Sequence, residues 1–368
     1  MTKANSITID AGVLDGAIKA AAAVVETRNT IPILANVRLF ADAGTLELVA
    51  TDLDNQFRQR FDLPGGGALA TTVHARRFAA LVGMLPANTP VTLEPDGPRL
   101  IIRAGRSRWV LPTLPADDFP VLPIDKLGNP VAVPGKALAE ALRRTVWSVC
   151  TEVSRPHIAG PFLHCADKAM RIVATNGHTL AAASIAGDWP ADAPEITLGP
   201  KFARLLQQHA AEAQSVDLAW DDGKIRATIG AVELTGKTIM GPFPDYSRVV
   251  PPDSDRIVLD PALLAEAVKR VDVVADGKTR AVRVERAEDR LTLSSTSPEA
   301  GDASAEVPAD CAAGSAPVTA FNSRYLAQMM EAIGGDSIEI HQADGTHPAL
   351  FRRVVADGAF GVIMPMRA

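Results

Sequence analysis

A strand-then-helix pattern recurs six times along this chain of 368 residues. Three copies begin near Ile7, Val131 and Ile257: ITIDAGVLDGAIKAAAAVV, VAVPGKALAEALRRTVWSV and IVLDPALLAEAVKRVDVV. A related copy follows each after about sixty residues: TTVHARRFAALVGML, ITLGPKFARLLQQHA and VTAFNSRYLAQMMEAI. Each joins a short apolar strand, through a turn residue, to an amphipathic helix. Alternating runs such as NVRLFADAGTLELVATD, PRLIIRAGRSRWVLPTL and VRVERAEDRLTLSST lie between them and read as antiparallel strands joined by hairpins. One unit is therefore strand, helix and about three strands, with the helix covering one sheet face. Three pairs of units, repeating roughly every 125 residues, predict an α+β chain of three similar domains. Proline-rich stretches around 115–130 and 241–255 read as linkers and set the domains at 1–127, 128–252 and 253–368. A body built by repetition suits a surface for a long partner better than a single catalytic cleft.

Charge sharpens that expectation. The chain carries −6 overall, which on its face disfavours nucleic acid. The six helices nevertheless hold eleven basic residues: Lys19, Arg76, Arg77, Lys136, Arg143, Arg144, Lys201, Arg204, Lys269, Arg270 and Arg324. Against them stand seven acidic ones: Asp15, Glu26, Glu140, Glu212, Glu266, Asp272 and Glu331. A basic helical stripe on an acidic body is an electrostatic footprint for a polyanion.

Catalytic readings find little support. Cys150, Cys165 and Cys311 are unevenly spaced without CxxC, which argues against disulfides or a zinc site and for a reducing compartment. The start MTKANSITID has no apolar core of signal-peptide length, and no run approaches the roughly 20 apolar residues of a membrane span, so a cytoplasmic location and no membrane partner are expected. PGGGALATT lacks a following Lys-Ser/Thr and reads as a hairpin turn. No GxSxG or HExxH occurs, and His157 and His164 have no ligand partner at helical spacing. Asp52 and Asp54 resemble a carboxylate pair, but the segments LVATDLDNQF, IVATNGHTLA and LTLSSTSPEA occupy equivalent places, and the third has no carboxylate near Ser295 and Ser297. Turn formation is the expected role. No catalytic residue, metal or cofactor is expected.

The segments TIPILANVRL (30–39), AGRSRWVLPTLPADDFP (104–120), ATNGHTLA (174–181), FPDYSRVVP (243–251) and VIMPMR (362–367) resemble, in type, order and spacing, the bacterial sliding clamps, the beta subunits of DNA polymerase III. The resemblance spans essentially the whole chain. It implies three like domains, each two βαβββ units, and a head-to-tail homodimer ring with helices lining the hole and sheets outside. It implies a non-catalytic protein that encircles double-stranded DNA without reading sequence. The helix cations other than Arg77, together with Arg28, would face DNA. Arg77, Arg106, Arg108 and Trp109 would meet Val273, Val274, Asp302 and Glu306 across the dimer interface. The DNA polymerase III catalytic subunit, the clamp loader, and other polymerases and repair proteins would dock through short linear motifs in a groove. That groove would comprise Ile158, Thr175, Gly177, His178, Leu180, Pro244, Arg248, Val249, Pro348, Val362, Met364, Pro365 and Met366. The chain departs from the family pattern at Glu152, Pro156, His157, Asn176, Thr179 and Ala368, which leaves room for a divergent second-copy clamp with a specialised partner. From another class, the rival is a repeat scaffold for proteins that never encircles DNA, distinguished by its size in solution.

Overall fold

The structure, a computed structural model, describes residues 6–123, 127–187, 189–190, 193, 195–221, 223–311 and 319–366. Ala368 lies outside them. Six βαβββ units follow one another. The first pair is β1 (Ile7–Asp10), α1 (Ala11–Val24), β2 (Asn36–Asp42), β3 (Thr45–Thr51), β4 (Asn55–Asp62), then β5 (Leu69–His74), α2 (Ala75–Val82), β6 (Pro90–Asp96), β7 (Arg99–Ala104), β8 (Ser107–Pro112). The second is β9 (Val131–Pro134), α3 (Gly135–Thr145), β10 (Phe162–Ala166), β11 (Ala169–Thr175), β12 (Thr179–Ile185), then β13 (Ile196–Leu198), α4 (Pro200–Ala210), β14 (Ser215–Trp220), β15 (Lys224–Ile229), β16 (Val232–Ile239). The third is β17 (Arg256–Leu259), α5 (Pro261–Asp272), β18 (Ala281–Arg286), β19 (Arg290–Ser297), β20 (Gly301–Cys311), then β21 (Thr319–Asn322), α6 (Ser323–Ile333), β22 (Ile338–His341), β23 (Ala349–Arg353), β24 (Phe360–Ile363).

The helices form where the apolar period dictates. In α5, Leu264, Ala267, Val268 and Val271 are buried, the i, i+3, i+4, i+7 stripe of a covering helix. Each large apolar side chain so buried contributes about 2 kcal/mol. Asp260 caps α5 by accepting from the Ala262 amide at 2.7 Å, and Asn322 caps α6 by accepting from Arg324 at 3.0 Å. Helix α1 stops before an extended Val25, and α4 stops at Ala210. Glu26 and Glu212, expected on helices, therefore lie beyond them, and the helical charge is more basic than the sequence count.

Strand order holds the main departure from expectation. The first strand of each unit pairs into its sister's sheet: β1 with β6, β5 with β2, β9 with β14, β13 with β10, β17 with β22 and β21 with β18. The segment PGGGALATT is consequently no hairpin, because β4 and β5 do not pair; β4 lies on β3, and β5 on β2. Its Gly67, at φ +115°, passes so close to the first strand that a Cβ would sit 2.6 Å from the Ser6 carbonyl oxygen.

Unit ends are joined as well. Strand β4 pairs antiparallel with β16, and β12 with β24. The chain packs as two compact bodies, residues 1–136 with 204–238 and residues 137–203 with 239–368. The first holds the sheets β1-β6-β7-β8 and β5-β2-β3-β4-β16-β15-β14-β9. The second holds β13-β10-β11-β12-β24-β23-β22-β17, with the end of β20 on β17, and β21-β18-β19-β20. No described helix is long and apolar enough to cross a membrane.

Candidate peptide groove and interaction surfaces

Register builds the groove floor. Phe162 sits opposite Val173, Val173 opposite Ala182, and Ala182 opposite Phe360. One step along, Thr175 faces Leu180, Leu180 faces Val362, and Val362 faces Leu350. Directly opposed residues share a sheet face, so these two rows give one apolar surface. Val173, Leu180, Ala182, Leu350 and Val362 form its buried cluster, with Phe243, Tyr246, Val250 and Phe360 packed half-buried against it.

The stretch 241–255 was expected to be a plain linker. Instead its residues 243–250 pack over that floor as a strap, because Phe243, Tyr246 and Val250 find apolar partners there. The strap contains a short 3-10 turn, Tyr246–Val249, capped by Asp245, whose carboxylate accepts from the Ser247 amide at 3.2 Å and its hydroxyl at 2.6 Å. Pro244, Arg248 and Val249 project from it, exposed. On the other side, the Met364 amide donates to the His178 carbonyl at 2.9 Å, and the Met366 amide to the Ala320 carbonyl at 2.7 Å. Met364 is 41% exposed and Val249 48%, so two apolar side chains stand unburied beside a buried apolar floor.

The rim turn is closely specified. Asn176 Oδ1 accepts from the amides of His178 at 2.9 Å and Thr179 at 2.8 Å. The Thr175 hydroxyl donates to the Thr179 carbonyl at 2.7 Å, and the hydroxyls of Ser148 and Thr179 meet at 2.6 Å. Gly177, at φ +88°, supplies the left-handed residue the turn requires. The His178 ring stacks on Tyr325, 6.3 Å between centroids. Asp52 makes the same turn in the first pair, accepting from the amides of Asp54 at 3.0 Å and Asn55 at 2.6 Å, while Asp54 pairs with Lys237 at 2.8 Å. Both carboxylates are structural.

Among the expected groove residues, Leu180 and Val362 lie in the floor, and Thr175, Gly177 and His178 form the turn beside it. Ile158, 4% exposed, is as buried as the floor residues, and Pro348, Pro365 and Met366 are half-buried. Sequence reasoning missed Val173, Ala182, Leu350, Phe360, Phe243 and Tyr246. The period-two alternation of β11, β12 and β23 carried the signal for the first three.

The cations divide into two groups. Arg28, Lys136, Arg204, Lys269 and Arg324 present exposed side chains. Lys201 is half-buried. Lys19 pairs with Asp15 at 2.6 Å, Arg270 with Glu266 at 3.0 Å, and Arg76 donates to the Val25 carbonyl at 3.1 Å and the Thr27 hydroxyl at 3.0 Å. Such exposed pairs are weak and leave Lys19 and Arg270 available to an anion. Arg143 and Arg144 are engaged by partners within the chain. Arg143 donates to the Glu140 carboxylate at 2.7 Å and to the Glu331 carbonyl at the end of α6 at 3.1 Å. Arg144 binds Glu140 at 2.7 Å and Asp357 at 2.7 Å, with 11% of its side chain exposed.

Among the described residues, two of the unit-closing strands keep a free edge. The strands that close units one, three, four and six pair with one another, whereas β8 and β20 do not. Among the described residues β8 pairs only with β7, and residues 301–308 of β20 only with β19. Arg106, in the turn before β8, and Arg108 on it are exposed and Trp109 half-buried, with Arg77 exposed on α2. On β20, Asp302 is exposed and Glu306 pairs with Arg290 at 3.3 Å; Val273, just past α5, is 81% exposed and Val274 half-buried. No group of three or more metal-ligating side chains occurs among the described residues.

Comparison with known proteins gives a consistent result. The family DNA polymerase III beta subunit matches by its N-terminal domain at residues 6–123, its central domain at 132–245 and its C-terminal domain at 247–367. A beta sliding clamp of Caulobacter vibrioides is 38% identical, covering 98% of this chain and 99% of that protein. The Escherichia coli beta sliding clamp is 29% identical over 92% of this chain and 93% of its own. A Bartonella birtlesii sliding clamp, solved bound to griselimycin, superposes with a TM-score of 0.94 at 29% identity, covering 100% of both chains. A Caulobacter crescentus beta sliding clamp does so with 0.92 at 36% identity, covering 99% of each.

Proposed function

The chain belongs to the DNA polymerase III beta subunit family, and on that premise we propose that it is a DNA sliding clamp. Two copies encircle duplex DNA and tether the replicative polymerase for processive synthesis. It is a non-catalytic subunit. Its three domains are taken as 1–127, 128–252 and 253–368.

The observation that carries the closed ring is the pair of leftover edges. The internal joint β4–β16 sets Arg58 opposite Glu233, with guanidinium and carboxylate 3.5 Å apart. By the same rule β8, with Arg108 on it and Arg106 in the turn before it, pairs with β20, with Asp302 and Glu306, of a second copy. Each copy offers one edge of each kind, so the contact is heterologous, and a ring of two copies uses both edges of each. Trp109, beside Val273 and Val274, supplies the aromatic anchor.

The exposed helix cations attract phosphate without reading bases, which suits a ring that moves along DNA. The polymerase III catalytic subunit, the clamp loader, and other polymerases and repair proteins insert short apolar motifs over the floor of Leu180, Val362 and Leu350. Met364 beside it adapts to different side chains.

The test is topological. Protein loaded by a clamp loader onto nicked circular DNA is expected to remain bound, then to be lost once a single cut opens the circle. Retention on linear DNA with free ends would reject the encircling reading.

A further inference from the structure

The strap that carries Pro244, Arg248 and Val249 is tied to β10 through side chains. Phe162 and His164 stand two residues apart on that strand and so share its face. Phe162 lies opposite Val173, which places that face with the groove floor. The Phe243 ring stacks on Phe162, with 4.6 Å between centroids and 1° between planes. Phe162 stacks in turn on His164 at 5.0 Å. Three residues along the strap from Phe243, the Tyr246 hydroxyl meets His164 Nε2 at 3.0 Å. The other ring nitrogen, Nδ1, is 3.1 Å from the Cys165 carbonyl. A carbonyl only accepts, so Nδ1 carries the proton and Nε2 receives the Tyr246 hydrogen. Burial holds the imidazole below its ordinary pKa, which favours this neutral form. Two rings of the strap thus bracket two rings of the strand.

We propose that Phe162 and His164 form a clasp that sets the position of the groove wall, with His164 a positioning residue for peptide capture. The inference rests on the groove reading above. A strap freed from the clasp would still be covalently continuous with the fold, but Val249 and Arg248 would no longer be held at a fixed distance from Met364.

The test uses the full-length dimer and a labelled peptide copied from the motif of the polymerase III catalytic subunit of the same genome. His164→Phe keeps an aromatic ring but leaves the half-buried Tyr246 hydroxyl without its acceptor, so Kd is expected to rise about five- to tenfold. Adding Tyr246→Phe removes the stranded hydroxyl, and the double variant is expected to recover to within about threefold of wild type. Sedimentation should show the dimer unchanged throughout. A double variant no better than His164→Phe alone, or Phe162→Ala and His164→Phe both binding like wild type, overturns the clasp. Should His164→Phe fail to fold, Tyr246→Phe alone decides: about threefold weaker binding supports the clasp, unchanged binding overturns it. A wild-type dimer that does not bind the peptide at all removes the groove reading, and this inference with it.

Discussion

Gly177 and Asn176 show how narrowly the groove rim is specified. At φ +88° an alanine would be held in a left-handed conformation, costing about 1–2 kcal/mol. Its Cβ would also lie 2.7 Å from Arg155 Nη1, a flexible tip that moves aside once its pairing with Glu152 adjusts. Gly177→Ala is therefore expected to weaken peptide binding by roughly tenfold while the dimer stays intact, as read by fluorescence anisotropy and sedimentation. Asn176 is the contrasting case. Its side-chain oxygen alone serves the turn, and Asp52 does the same work in the first pair with a carboxylate. Asn176→Asp should bind within about twofold of wild type in the same assay. The departure from the family at this position leaves the turn geometry intact.

Among the elements, α3 is fastened to the end of α6 by Arg143, which Glu140 holds in place. Hydrogen bonds from Arg143, and then Arg144, draw the Glu140 carboxyl down from 4.5 to about 2 against the opposing effect of burial. A carboxyl depressed in the folded state stabilises above its unfolded pKa, and that stability is lost as pH falls through the folded value. Urea midpoints of wild type should accordingly drop between about pH 4.5 and pH 2. Glu140→Gln should be less stable near pH 7, with the gap closing on acidification. Equal midpoints across the range would show that the fastening contributes nothing.

Much at this scale was legible in the chain itself. The stripe Leu264, Ala267, Val268, Val271 announces its helix, and the alternation in NVRLFAD its strand. Strand partnership was not legible, because a period of two states which face a residue occupies and says nothing about its neighbour. That is why PGGGALATT read as a hairpin, although β5 crosses to β2. The strap escaped for a related reason: Phe243 and Tyr246 lie in a segment without periodicity, and only tertiary ring contacts reveal their role. Arg143 and Arg144 counted as free charge until Asp357 and the end of α6, nearly two hundred residues onward, were seen to hold them.

For the whole molecule, the dimer reading makes a charge-exchange prediction. Arg106→Glu with Arg108→Glu sets like charges against Asp302 and Glu306 and should weaken dimerisation about tenfold or more, measured by sedimentation velocity. Asp302→Arg with Glu306→Arg in the partner population should restore it, and failure of that mixture to reassociate would assign the contact elsewhere. The joints inside the chain carry a further consequence for its birth on the ribosome. Strand β4 ends at Asp62, yet the strand that shields its outer edge starts only at Val232. A nascent chain must therefore carry that bare edge while about 170 more residues are made, an opening for chaperones and for mispairing. Strand β12 waits longer still, until Phe360, and the latecomer enters between β12 and β23 rather than at a margin. Termination before Phe360 would strip the centre of a sheet, so synthesis of β24 doubles as the quality check on the second body.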